Sequence, residues 1–263
     1  MNELIKKICN ISVKAGHKIL SYYDEVIVDI EDKSDGSPLT KADLASNEII
    51  KNELSSLDQN INFLSEEGKN IDFEVRKNWN KIWIVDPLDG TKEFIKKNGE
   101  FTVNIALLEK NKPVLGAIYA PALKTLYYAQ SHFGSFKHTE VDIDTKVNFF
   151  DPKNRIYCRK KISNKMNIVA SRSHHSDELD VWLKKFENFD LVDAGSSLKF
   201  CLVAEGSADI YPRFVGSSEW DIAAGVIILQ EAGGKVLDTE EKELLFNKPS
   251  LRNTFFIASN KTF

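Results

Sequence analysis

Apolar residues recur at steps of three and four from Leu4 to Tyr23 (Leu4, Ile5, Ile8, Ile11, Ala15, Ile19, Tyr22) and predict one amphipathic helix. Ser34-Asp35-Gly36-Ser37-Pro38 is a loop signal. Thr40 then reads as an N-cap, with Asp43 three residues on in a capping-box arrangement. Ala42, Ala45, Ile49 and Ile50 carry a second helical stripe. The period changes after that. Short β-rich runs predict strands at Ile61–Leu64, Ile82–Val85, Phe101–Leu108, Val114–Tyr119 and Thr125–Ala129. The polar connection Glu109-Lys110-Asn111-Lys112 suits a hairpin, so an antiparallel sheet behind two helices is expected.

From His138 to Lys165 the pattern fades into charged, aperiodic sequence, read as the seam between two halves, 1–150 and 151–263. Past the seam, strands are expected at Asn167–Ala170, Ala208–Tyr211, Lys235–Leu237 and Thr254–Ala258. Helices are expected at Asp177–Phe186, Ser197–Glu205 and Asp221–Glu231, the last ended by Gly233-Gly234. Alternating strands and helices make this half a smaller α/β unit.

The chain has 263 residues, 42% hydrophobic and 28% charged, which is enough to bury a core without disulfides or a structural metal. A net charge of −4 with scattered lysine pairs argues against nucleic-acid binding, which needs a clustered basic surface. No apolar run approaches the roughly 18 residues of a membrane span. The first residues lack the apolar stretch of a secretory signal. Cys9, Cys158 and Cys201 are widely spaced with no Cys-x-x-Cys. That fits a reduced cytoplasmic protein and excludes a disulfide framework or a thiolate zinc site.

The most informative stretch is Trp83-Ile84-Val85-Asp86-Pro87-Leu88-Asp89-Gly90-Thr91, a strand running into a turn with two carboxylates. Pro87 pushes Asp86 towards an extended backbone, and Gly90 permits a close approach by a ligand. Carboxylates and a carbonyl on one side of a turn suit Mg²⁺ and a substrate phosphate. Asp-Pro and Asp-Gly are also ordinary turn dipeptides. Two further acidic sites strengthen the metal reading: Ser65-Glu66-Glu67-Gly68 at a strand end, and Glu219-Trp220-Asp221 at a helix start.

These elements, with Trp220-Asp221-Ile222-Ala223-Ala224-Gly225, resemble the lithium-sensitive, Mg²⁺-dependent phosphatase superfamily that includes inositol monophosphatase and fructose-1,6-bisphosphatase. Lys92-Glu93-Phe94-Ile95 through Leu107, and Gly195 through Gly206, resemble its bacterial 3′(2′),5′-bisphosphate nucleotidase branch. The resemblance implies a layered α/β fold, an αβαβα sandwich. It implies hydrolysis of adenosine 3′,5′-bisphosphate to AMP and phosphate, with the 3′-phosphorylated phosphosulfate of adenosine as a second substrate. It implies roughly two or three Mg²⁺ per active site. Glu66, Asp86 and the Leu88 carbonyl would hold one ion, and Asp86, Asp89 and Asp221 a second. Asp43 and Thr91 would activate the attacking water, with Glu67 supporting rather than ligating.

Glu66, Leu88, Asp89, Gly90, Thr91 and Asp221 would meet the scissile phosphate. Ser196, Ser197, Lys199 and Arg213 would meet the rest of the nucleotide. His174-His175 stand where relatives place a histidine near the nucleotide, and at most one contributes. His17, His132 and His138 lack ligand spacing. The implied partner is a small nucleotide bisphosphate, with no nucleic acid and no membrane span. The implied location is cytoplasmic, with peripheral attachment to the inner membrane and oligomeric state left open. Two rivals stand: a phosphatase of the same superfamily acting on inositol monophosphate or a sugar bisphosphate, and a non-catalytic nucleotide or metal sensor on the same fold.

Overall fold

The computed structural model describes residues 2–23, 30–32, 38–160, 165–171 and 176–261. Most of the expected loop at 34–38 and the His174-His175 pair lie outside the described residues. Helix α1 (Asn2–Tyr23) buries Ile5, Ile8, Ile11, Ala15 and Ile19, as its stripe predicts. A short antiparallel pair, β1 (Ile30–Asp32) and β2 (Pro38–Thr40), leads into α2 (Lys41–Leu57). The inward row of α2 differs from the predicted one. Ala42, Ser46, Ile50 and Leu54 are buried, while Ala45 and Ile49 are half-buried. Counting apolar residues passes over Ser46, whose hydroxyl is satisfied inside the protein.

The first sheet has seven strands in sequential order: β3 (Asn62–Ser65), β4 (Lys81–Asp89), β5 (Thr102–Glu109), β6 (Lys112–Ala120), β7 (Thr125–Gln130), β8 (Gly134–His138) and β9 (Arg155–Ile156). Only β3 and β4 run parallel; every other neighbouring pair is antiparallel. Short helices α3 (Phe73–Arg76) and α4 (Thr91–Ile95) flank β4. Lys110 and Asn111 both take positive φ (49° and 63°), the geometry a two-residue hairpin needs between β5 and β6. Strands β8 and β9 were not read from the sequence, because Phe136 is the one large apolar residue of β8 and β9 is two residues long. The first sheet therefore continues past residue 150.

Successive residues of a strand face opposite sides, and here both sides are covered. Ile82, Ile84, Ala106, Leu108 and Ile118 face one core, and Trp83, Val85, Val103, Ile105 and Leu107 the other. That double burial is why these strands read as continuous apolar runs.

The second sheet has the order β11-β10-β12-β14-β13. It comprises β10 (Met166–Ser171), β11 (Phe189–Ala194), β12 (Ile210–Arg213), β13 (Lys235–Asp238) and β14 (Phe256–Ser259). Edge strand β11 carries two aspartates and leaves Leu191 exposed, which hid it from a reading by hydrophobic pattern. Helices α6 (Leu198–Ala204) and α7 (Glu219–Glu231) lie between the sheets, and α5 (Asp177–Leu183) packs Leu179 and Trp182 on the outer face of the second. The layers are helix, sheet, helix, sheet, helix, as expected. Ile222 to Leu229 of α7 are all buried, so a helix apolar all round is explained by a sheet on each side.

Among the described residues no helix is long and apolar enough to cross a membrane. At Gly116 of β6 the helix α7 lies close against the sheet. A Cβ there would lie 2.5 Å from Ile227 Cγ2 and 2.9 Å from the Ala224 carbonyl oxygen. Gly116→Ala is expected to lower the unfolding free energy by about 1–3 kcal/mol in urea titration. An unchanged midpoint would show that the two layers can part at no cost.

Candidate active site

Strand β4 does not end in a turn at Asp86, as the sequence suggested; it continues to Asp89 through a bulge. Asp86 pairs with Asn104 and Asp89 with Thr102, so the Pro87-Leu88 stretch gains one residue on β5. Pro87 has no N–H to give the ladder, which favours the irregularity. Bulges re-aim side chains, and this one brings both aspartates to one end of the sheet. Two bonds fix it: Leu88 N–H donates to Asp86 Oδ1 at 3.1 Å, and Ser46 Oγ of α2 donates to the Pro87 carbonyl at 2.7 Å. Gly90 then takes φ +89° to start α4.

Because β3 is parallel to β4, its last residue Ser65 lies opposite Val85, and the chain leaves β3 beside Asp86. Glu66 N–H donates to the Val85 carbonyl at 3.2 Å, and Ser65 Oγ donates to Asn47 Oδ1 at 2.7 Å. Asp221 arrives from the other side as the third residue of α7, where its Oδ2 accepts the Ser218 N–H at 2.8 Å in a capping box. Carboxylate oxygens of Glu66, Asp86 and Asp221 lie within 4.8 Å of one another. Asp89 stands beside this trio, its Oδ2 accepting Ser197 N–H at 2.6 Å and Asn104 Nδ2 at 3.4 Å.

Asp221 and Asp89 keep an edge open to a cavity but are otherwise enclosed by protein. That desolvation is the main reason the Asp221 carboxyl is pushed up to about 7, with the charges of Asp89 and Glu66 adding to it. Asp89 is raised by the same desolvation and by Glu66, offset in part by Lys199. Clustered carboxylates with oxygen-only donors fit a hard divalent cation such as Mg²⁺, which would relieve the repulsion.

Asp43 uses its two oxygens for two partners. Oδ2 accepts Thr40 N–H at 2.8 Å and the Thr40 hydroxyl at 2.5 Å, while Oδ1 accepts the Thr91 hydroxyl at 3.3 Å. The capping role is therefore present, and it leaves the second oxygen for Thr91. A cavity of about 400 Å³ opens over the carboxylates. It is lined by Glu66, Asp86, Leu88, Asp89, Gly90 and Thr91 from the first half and by Ser196, Ser197, Lys199, Arg213 and Asp221 from the second. Asp43 lies behind Thr91 and does not line it.

The Gly195–Lys199 element differs from expectation in where its side chains are committed. The Ser196 and Ser197 hydroxyls bond Thr102 Oγ1 at 2.7 and 2.8 Å, and Ser197 Oγ also donates to Asn104 Oδ1. Lys199 is 3% exposed; its Nζ donates to the Ser196 and Ala194 carbonyls and sits over the Tyr211 ring. Burial, then the charge of Arg213, holds this amine down at about 8. Arg213 donates to the Val215 and Gly216 carbonyls and retains further N–H donors. Sequence reasoning missed Thr102 and Asn104, although two polar residues on one face of an otherwise apolar strand were a visible signal. It also missed Ser46, and it missed Tyr211 and Arg252, which line the cavity.

Residues 1–262 match the inositol monophosphatase family. A 3′(2′),5′-bisphosphate nucleotidase CysQ of Salmonella typhimurium is 42% identical over 261 residues, covering 96% of this chain and 100% of that one. The crystal structure of CysQ from Bacteroides thetaiotaomicron superposes with a TM-score of 0.88 at 42% identity, covering 98% of this chain and 97% of the other. A more distant structure, an IMPase/NADP phosphatase complexed with Mg²⁺ and phosphate, shares the fold at 21% identity and a TM-score of 0.78, covering 99% and 91%.

The raised Asp221 carboxyl gives a pH test. Its folded value of about 7 lies above the unfolded carboxylate range of about 3.9, so the folded state binds the extra proton. The resulting stabilisation is complete below about pH 4 and is lost as pH rises through about 7. Without divalent cations, unfolding in urea is expected to become easier across that window. Asp221→Asn or saturating Mg²⁺ should flatten the dependence. A profile equally steep in all three samples would remove Asp221 as its source.

Proposed function

The chain belongs to the inositol monophosphatase family, and from that premise we propose that it is a Mg²⁺-dependent 3′(2′),5′-bisphosphate nucleotidase. It would hydrolyse adenosine 3′,5′-bisphosphate to AMP and phosphate, and would accept the 5′-phosphosulfate analogue, which carries the same 3′-phosphate. The reading is carried by the convergence of Glu66, Asp86 and Asp221, from segments far apart in a chain 42% identical to a nucleotidase over that enzyme's full length. Buried, widely spaced thiols suit a reducing cytoplasm, where we place the reaction.

Glu66, Asp86, the Leu88 carbonyl, Asp89 and Asp221 would hold roughly two or three ions. When bound, Mg²⁺ supplies Lewis acidity at the phosphate and lowers the pKa of water. The protein's own share is positioning and proton transfer. Asp43 holds the Thr91 hydroxyl by its proton, which turns the Thr91 lone pairs outward to accept a hydrogen from the attacking water. As the new P–O bond forms, the water proton passes to Thr91 Oγ1 and the Thr91 proton passes to Asp43 Oδ1. The P–O bond to the ribose oxygen breaks, and that oxygen takes a proton from solvent. Gly90 and Thr91 would offer backbone N–H groups to the scissile phosphate. Lys199 and Arg213, which both line the cavity, would make a positively charged wall for the second phosphate, with Ser196 and Ser197 shaping the turn that holds Lys199 in place.

An inositol phosphatase would have no use for that second positive wall, which is why the nucleotide is preferred. Phosphate release should be fast from adenosine 3′,5′-bisphosphate, slow from inositol 1-phosphate, abolished by EDTA and inhibited by Li⁺. A preference for the inositol ester would overturn the substrate; nucleotide binding without turnover in Mg²⁺ would overturn the enzyme. Asp86→Asn is expected to lower kcat by several orders of magnitude in a protein that still folds. Lys199→Ala should raise KM for the bisphosphate more than for a simple monophosphate, and equal losses on both would argue against a second-phosphate wall.

A further inference from the structure

Asp221 works only if the first turn of α7 is held at one place relative to Glu66 and Asp86, which belong to the other sheet. Its capping box fixes the side chain to the helix, but not the helix to the sheet. The opposite side of the same turn carries Glu219, whose side chain is fully buried. Its Oε2 accepts the Asn247 N–H at 2.5 Å; its Oε1 accepts the Lys248 N–H at 3.0 Å and Lys248 Nζ at 2.7 Å.

Asn247, 3% exposed, passes the connection on. Its Oδ1 accepts Arg76 Nη1 at 2.7 Å, and its Nδ2 donates to the Arg76 carbonyl at 2.8 Å. Arg76, 2% exposed on α3, donates from Nη2 to the Lys248 and Pro249 carbonyls and from Nε to the Ile71 carbonyl. The strap continues along the helix start. Glu219 N–H donates to the Leu251 carbonyl at 2.9 Å, and Asn253 donates from its backbone to Ser217 and from Nδ2 to the Ser218 carbonyl.

We infer that the strap 247–253, clamped between Arg76 of the first half and Glu219 of α7, is the device that sets Asp221 against Glu66 and Asp86. Glu219, Asn247 and Arg76 are thus positioning residues that act through Asp221. The inference rests on the metal-site reading above. A buried arginine and a buried glutamate joined through one asparagine form a stiff connection, because an unpaired group at any link is costly. Nothing in bare layer packing calls for such a chain, since Ile222 to Leu229 already hold α7 by apolar contact along its length.

The test is Glu219→Gln, which keeps the shape but sets an amide NH₂ against donors. Mn²⁺ binding to the protein without substrate, followed by electron paramagnetic resonance, is expected to weaken by about 10- to 100-fold. Phosphate release should fall at fixed Mg²⁺ and recover as Mg²⁺ is raised, with KM for the nucleotide unchanged. Should this variant fail to fold, Asn247→Ala, which keeps all three donors to Glu219 and removes the side-chain link to Arg76, is read the same way. A lowered melting temperature with unaltered Mn²⁺ affinity would overturn the positioning role and leave the strap as plain scaffold. A parent protein that binds no Mn²⁺ would instead overturn the metal-site reading, and the clamp with it.

Discussion

Like-charged carboxylates held close together in a place poor in water are the constraint on which the structure turns. Left alone, such groups protonate or move apart, and burial with the charges of Asp89 and Glu66 raises the Asp221 carboxyl in the first direction. What keeps them from moving apart is the backbone. A bulge in β4 carries Asp86 and Asp89, the parallel strand beside it carries Glu66, and a helix start from the other half carries Asp221. Some anchors use the carboxylates themselves, as where Leu88 N–H meets Asp86 and Ser218 N–H meets Asp221, and others leave them free. Ser46 takes the Pro87 carbonyl, Asn47 takes the Ser65 hydroxyl, and Glu219 takes the 247–248 backbone.

The fold was legible where burial is one-sided or complete. The stripe of α1 and the apolar runs of β4 to β7 translate directly into a layer and its two covered faces. It was illegible where backbone bonds rather than side chains hold an element, as in β8, β9 and edge strand β11. The bulge was hidden for a related reason. A proline followed by Asp-Gly gives the same signal for a turn as for a strand with one residue inserted, and only the partner strand decides which forms.

At the site, residues with unusual chemistry stood out in the sequence, and Glu66, Asp86, Asp89, Thr91 and Asp221 line one cavity. Their supports did not. Ser46, Asn247 and Arg76 are polar residues inside an apolar core, and nothing in their local sequence says which distant atom satisfies them. Conversely, Ser196 and Ser197 looked like ligand donors from their place before a helix, yet their hydroxyls are committed to Thr102 of β5. A serine at such a position is ambiguous until its neighbours in space are known.

Asp43 and Asp221 are each the third residue of a helix and each accept the N–H of that helix's capping residue. An asparagine could accept the same proton through its amide oxygen, so the capping bond by itself gives no reason to keep the acid. Whatever demand there is for an acid at these two positions falls on the chemistry of the cavity rather than on the capping bond. A gene copy relieved of that demand could exchange an oxygen for a nitrogen at either place, lose hydrolysis at once, and keep an intact nucleotide-shaped hollow for evolution to reuse.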